Sequence, residues 1–274
     1  MTVLAQSVTT LAQRVASRSV APGHLSAWWL GGAGFIFKTA SGSEVWIDPY
    51  LSNAAYELFG LKRAFAAPIT VEEANPDLVI ATHWHEDHLD LGSIPALAKA
   101  RPSAKFLMPP SAMARALSWG IPRTQIIPLS HGQTEKVGDT AVTAVPARHI
   151  VEIAGWEVPD AMGVILEIDG IRVYHTGDTE YDNRLRRLKS QPLNFATFCI
   201  NGSGGNMNAH EAALLAWQLD TKTAVPHHHY LWDKETVDPE ETMDAKIFER
   251  TYRNLGGKAV VILPQIGEEI DIPR

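Results

Sequence analysis

The chain has 274 residues, 45% of them hydrophobic, and a formal net charge of −7. That is ample material for one large core or two small ones, and the acidic balance argues against a phosphodiester-binding protein, so no nucleic-acid partner is expected. A single cysteine, Cys199, excludes an internal disulfide,. There is no apolar run of the length a membrane span needs and no signal-peptide core near the start. The expectation is a cytoplasmic protein with no membrane partner.

Near the start, Leu4, Val8, Leu11 and Val15 recur at spacings of three and four, which predicts a short amphipathic helix,. Residues 1–22 therefore read as a helical extension, and 23–274 as a single domain. Residues 25–30, 35–37 and 44–48 form apolar runs broken by Gly31-Gly32-Ala33-Gly34 and Ser41-Gly42-Ser43, the pattern of a three-stranded meander,. The glycine cluster lies between strands with no helix after it, so a dinucleotide fingerprint is rejected. Residues 51–61 have no clear period and read as a mobile loop over a site.

Residues 77–81 form a short apolar strand, and directly after it comes Thr82-His83-Trp84-His85-Glu86-Asp87-His88. His83 and His85, two apart, point the same way from an extended segment, and Asp87 with His88 opens a second cluster. Imidazoles with one carboxylate suit zinc, with manganese or iron as alternatives. Beyond it, residues 93–100 and 111–118 read as helices with serine N-caps on either side of a strand at 105–108. Short strands follow over 125–146, then a hairpin of 162–168 and 171–175 about Asp169-Gly170. A helix near 183–188, a strand at 195–200 and a helix capped by Asn208 with Glu211 three later come next. The rest reads as a strand at 222–225 and a helix opened by Asp238-Pro239-Glu240-Glu241 and stopped by Gly256-Gly257. On that helix Met243, Ile247 and Phe248 share a face. Meander and β/α alternation, each occurring twice, predict an α/β four-layer αββα sandwich, two sheets face to face with helices outside. Cys199, in an apolar run, reads as a buried strand residue rather than a nucleophile.

The His-x-His-x-Asp-His stretch after a core strand resembles the signature of the metallo-β-lactamase superfamily, whose architecture is that sandwich. The resemblance implies seven metal ligands. His83, His85 and His149 would hold one ion, Asp87, His88 and His228 the other, with Asp178 shared between them. Asp87, Asp178 and His228 are also the candidate catalytic residues. Within Pro226-His227-His228-His229 the family spacing favours His228, with His229 as the alternative. His24, His131, His175 and His210 are read as surface or capping histidines. Four further stretches resemble the branch that contains L-ascorbate-6-phosphate lactonase. They are Trp29-Leu30-Gly31-Gly32-Ala33-Gly34-Phe35, Ile47-Asp48-Pro49-Tyr50-Leu51-Ser52, Asn201-Gly202-Ser203-Gly204-Gly205-Asn206-Met207-Asn208-Ala209 and Pro226-His227-His228-His229-Tyr230-Leu231-Trp232.

Two divalent ions, zinc or manganese, would supply a metal-bound hydroxide at neutral pH. The expected reaction is hydrolysis of an ester or lactone in a small-molecule, sugar-phosphate-like substrate. The alternatives are phosphodiester hydrolysis on the same ions and iron-dependent redox chemistry in the same fold. Candidate substrate contacts are Asn206 and Asn208 in the glycine-rich loop, Arg148 beside a ligand, Tyr181 as proton donor to the leaving alkoxide, and His229; Arg184 is a second cationic candidate. The N-terminal helix and eight tryptophans suggest a homo-oligomer interface.

Overall fold

The structure, a computed structural model, describes residues 9–233 and 244–274. The first helix, α1 (Leu11–Ser17), opens on a capping box in which Thr10 accepts from Gln13 N and Gln13 answers to the Thr10 backbone,. Leu4 and Val8, expected on the same helix, lie outside the described residues. Leu11 and Val15 bury against Trp28, so the segment packs on the sheet behind it.

The meander forms as β1 (His24–Gly31), β2 (Gly34–Lys38) and β3 (Glu44–Ile47). The expected loop after it contains a short helix, α2 (Ala54–Phe59), ended by Gly60 in the left-handed conformation. Its apolar residues are too few to show a period, which is why the helix escaped sequence analysis. Next come β4 (Leu78–Ile80), α3 (Ile94–Ala100), β5 (Lys105–Met108), α4 (Pro110–Ser118) and β6 (Ile126–Pro128). The two serine caps fail. Ser93 sits at the N-cap but its hydroxyl donates to Asp90 rather than capping the helix, and Pro109 occupies the cap of α4 while Ser111 bonds Asp160 instead. Proline in the first turn of each helix needs no N–H partner, so no serine is required.

The second half supplies β7 (Thr134–Val137), β8 (Thr140–Pro146), β9 (Met162–Ile168), β10 (Ile171–His175), β11 (Phe195–Cys199), α5 (Ala209–Leu219) and β12 (Thr223–His227). Asp169 and Gly170 both have positive φ, the two-residue turn that matches strand twist,. The helix expected near 183–188 is a 3-10 segment, Asn183–Ser190, with Asp182 as its cap. Last come α6 (Ala245–Asn254), β13 (Val260–Val261) and β14 (Glu269–Pro273). Asp244 caps α6 through Lys246 N. The cap expected at residues 238–241, and Met243, lie outside the described residues. Neither β13 nor β14 was foreseen.

The strands make two seven-stranded sheets, ordered β14-β1-β2-β3-β4-β5-β6 and β13-β12-β11-β10-β9-β8-β7. Alternation along each strand sets the layers. On β1, Leu25, Ala27 and Trp29 face Val164, Leu166 and Val173 of the other sheet, while Trp28 and Leu30 face α1, α3 and α4. On the second sheet Tyr174, Ala196 and Phe198 face outward under α5 and α6. The result is the four-layer αββα sandwich. Among the described residues no helix is long and apolar enough to cross a membrane.

Because β3 and β4 run parallel, as do β10, β11 and β12, their carboxyl ends collect on one rim. Met162 N donates to Thr82 O and His228 N to Gly32 O, stitching the two sheets together there. The residues after β3, β4, β8, β10 and β12 are therefore delivered to one place.

Candidate metal centre

Five imidazoles and two carboxylates converge on that rim. His83 Nε2 lies 2.9 Å from His85 Nδ1, which lies 3.2 Å from His149 Nε2. His88 Nε2 lies 3.3 Å from His228 Nε2 and 3.6 Å from Asp87 Oδ2. Asp178 stands between the groups, with Oδ1 3.4 Å from His228 Nε2 and Oδ2 3.4 Å from His88 Nε2 and 3.9 Å from His149 Nε2. Three overlapping triads thus each have their donor atoms within 4.8 Å of one another: His83, His85 and His149; His83, His88 and Asp178; and Asp87, His88 and His228.

This arrangement fits divalent cations. Ligands about 2.0–2.1 Å from a tetrahedral ion stand about 3.3 Å apart, which is the spacing these nitrogens show. The first triad brings three imidazole nitrogens together, and mutual N–H···N bonds cannot satisfy all three. Asp178 Oδ1 and His228 Nδ1 are buried without a hydrogen-bond partner, which in so polar a cluster calls for a ligand at the carboxylate,.

Except at His228, the outer nitrogens are held by backbone, carboxylate or hydroxyl oxygens, which sets those rings' orientation and tautomer,. His88 Nδ1 is 2.8 Å from Asp48 Oδ2, His85 Nε2 3.0 Å from Trp156 O, and His149 Nδ1 3.1 Å from Gly205 O. His83 Nδ1 is 3.1 Å from Thr82 Oγ1. Gly205 is required for its contact: its φ is +80°, and a Cβ there would stand 2.4 Å from Ile150 O,. Gly177, before Asp178, has φ +59° and leaves a Cβ 2.7 Å from Met162 O. His228 itself has φ +60°, a conformation that turns its ring out of the strand path and into the cluster,.

Burial drives the His83 pKa well below the ordinary range, and burial with His149 nearby takes His85 down to about 4. These imidazoles are neutral, with a lone pair ready to donate. At His88 burial opposes the charge, but Asp178, Asp87 and Asp48 outweigh it and raise the pKa well above normal. The same contest, with Asp178 first among the carboxylates, raises His228 to about 10. Asp87 goes the other way, to about 2, because His88 and His228 outweigh its desolvation. Ligation needs neutral imidazole, so a cation entering beside His88 and His228 displaces their protons.

The structure also separates the residues that sequence analysis had grouped. His228 joins the cluster, whereas His229 stacks on Trp29 at 5.0 Å and lines a separate cavity of about 460 Å³. Asn206 Nδ2 donates to Asp178 Oδ2 at 2.7 Å, so its amide N–H is engaged by that carboxylate. Asn208 is occupied capping α5 through His210 N and Glu211 N. Tyr181 bonds Gln218 and Asn183, not the cluster, because the chain has turned toward α5 by that point. Arg148 pairs with Glu180 at 3.0 Å, and Arg184 pairs with Asp182 beside a different cavity under Trp217.

His175, read as a surface or capping histidine, is fully buried between Ala33 O and Gly177 N. It stacks on His227, 4.6 Å away, since both rings point between the sheets. Asp48 was missed as a site residue altogether. Its proline-marked strand end was visible, but its partners Thr82 and His88 were not.

Cys199 is buried, and desolvation followed by nearby Asp178 pushes its thiol up to about 12. A thiol-specific chromogenic reagent at pH 8 is expected to titrate no cysteine in the native protein and one after denaturation. Fast native labelling would contradict this placement.

A sequence profile for the family described as "Beta-lactamase superfamily domain" matches residues 44–229. A metal-dependent hydrolase of Thermococcus onnurineus is 30% identical over 235 residues, spanning 81% of this chain and 98% of its own. A protein of Salmonella heidelberg named as a probable L-ascorbate-6-phosphate lactonase is 24% identical, spanning 84% of this chain and 77% of its own. Among solved structures, a metallo hydrolase from the archaeon Ignicoccus hospitalis superposes with a TM-score of 0.68 at 23% identity, covering 92% of this chain and 99% of its own.

Proposed function

The chain belongs to the beta-lactamase superfamily and is a metal-dependent hydrolase of the metallo-β-lactamase fold, and we propose that it opens an ester or lactone at a centre of two divalent ions, zinc or manganese. The observation that carries this reading is the position of Asp178, one oxygen toward His228 and the other toward His88 and His149. A carboxylate so placed suits two ions sharing it. His83, His85 and His149 would hold one ion, Asp87, His88 and His228 the other. When bound, such ions supply an activated water and Lewis acidity toward the oxygen under attack.

The remaining residues keep that centre in shape. Asp48, Thr82, Trp156 and Gly205 fix the rings, and Asn206 fixes the shared carboxylate. Cys199, the sole thiol, is sequestered behind Thr179 O and offers no rival nucleophile. The lactone half of the reading is supported by the similarity to the Salmonella protein.

Protein purified without added metal is expected to carry about two equivalents of zinc or manganese and to lose lactone turnover on chelation. Loading should weaken as the pH falls, because protons compete for His88 and His228. Preference for a phosphodiester chromogen over every lactone would overturn the ester reading. Bound iron without hydrolysis of either would favour redox chemistry.

A further inference from the structure

Exposed apolar side chains stand beside the cluster. Phe59, at the end of α2, is 45% exposed, and its ring lies 4.9 Å from that of Trp156. Trp156 in turn stands 5.1 Å from the His85 ring, and its carbonyl meets His85 Nε2. Ile150, the residue after His149, is 47% exposed, and Ile153 is 60% exposed. Phe59 touches Trp156, and Trp156 N donates to Ile153 O at 3.0 Å, so large apolar residues adjoin here, unlike the single exposed leucines of an ordinary surface,. They reach the cluster through His85 on one side and His149 on the other.

The charges nearby complete the picture. Glu57, Glu152 and Glu157 are exposed on the same two segments. Among the described residues three cations nearby are engaged: Arg148 with Glu180 at 3.0 Å, Arg115 with Glu86 at 3.2 Å, and Lys62 with Asp233 at 3.1 Å. Arg115 also lies 3.6 Å over the Trp84 ring. A phosphate dianion would meet carboxylates and paired cations here. A hydrocarbon would meet a matching surface.

We infer that the substrate carries a neutral apolar arm, alkyl or acyl, which lies across Phe59, Trp156, Ile153 and Ile150 while its ester or lactone carbonyl reaches the metal cluster. This specificity rests on the ester or lactone reading and replaces the sugar phosphate with a hydrophobic substrate. Each fully buried CH2 should raise affinity about fourfold, and each CH2 left half in water about twofold.

The test pairs binding with turnover on the metal-loaded protein. Linear alkyl hydroxamates of two to ten carbons, neutral probes with a metal-seeking head, are titrated calorimetrically, and esters of matching chain length are assayed. Affinity and kcat/KM are expected to rise about twofold per CH2 over the middle of the series. Phe59→Ser and Ile153→Ser should each flatten that slope. A flat wild-type series with short esters still hydrolysed would overturn the apolar arm and leave the hydrolase reading intact. An unchanged slope in both variants would equally overturn it, as would a flat series accompanied by a dimer that either variant dissociates. A rising hydroxamate series without turnover of any ester or lactone would uphold the arm and sink the reaction assigned above.

Discussion

Replacing Asp178 with alanine is expected to lower kcat/KM by more than about a thousandfold and to reduce bound metal to one equivalent or less. Asp178 reaches both halves of the cluster, 3.4 Å from His228 and from His88 on one side and 3.9 Å from His149 on the other. The loss is also electrostatic. Asp178 leads the carboxylates that oppose desolvation at both His88 and His228, so its removal leaves less negative charge to offset the burial of those rings,. Elemental analysis before the assay separates loss of metal from loss of chemistry, and far-UV circular dichroism checks that the sandwich persists. Wild-type metal content together with wild-type turnover would refute the shared-ligand assignment.

The second large effect concerns a residue that need not touch the ions. Asp48→Ala should weaken metal affinity about 10–100-fold and destabilise the fold by about 3 kcal/mol. The Asp48 carboxylate takes Thr82 N at 2.8 Å through one oxygen, and Thr82 Oγ1 and His88 Nδ1, each at 2.8 Å, through the other. All three groups are buried, so removing the acceptor leaves an orphaned backbone N–H and an imidazole without its orienting carboxylate,. Asp48 also has φ +46°, a backbone state that asparagine tolerates and alanine resists,. Asp48→Asn should therefore recover most of the stability but not the metal affinity, since an amide cannot polarise His88 as a carboxylate does. Denaturant unfolding read against a metal competition titration distinguishes the two. Wild-type metal affinity in both variants would show that His88 needs no orienting partner.

Legibility varied with the distance over which information had to travel. The hairpin about Asp169-Gly170 and the capping box of α5 are local patterns, and both stand as expected. The helix α2 was missed because six residues carry too little periodicity, and β14 because a short alternating strand at the chain end looks like any loop until β1 pairs with it,. The substrate contacts fared worst. Tyr181 is only three residues from Asp178, yet its hydroxyl belongs to Gln218 on the far side of the sheet. Proximity in sequence carried no directional information there.

By itself the sequence determined the two β-rich halves, the layer each side chain faces through period-two alternation, and the ligand types after the strands. These depend on the order of apolar and polar residues within a few positions. The family spacing favoured His228 among three adjacent histidines, but tertiary structure supplied the reason, because His228 meets His88 across 140 residues and a left-handed turn aims it there. Tertiary structure alone brought Asp48 to His88, 40 residues on, and set Phe59 and Trp156 beside the candidate metal ligands. Such contacts arise where two sheets and their loops meet in space, and spacing along the chain does not encode that meeting.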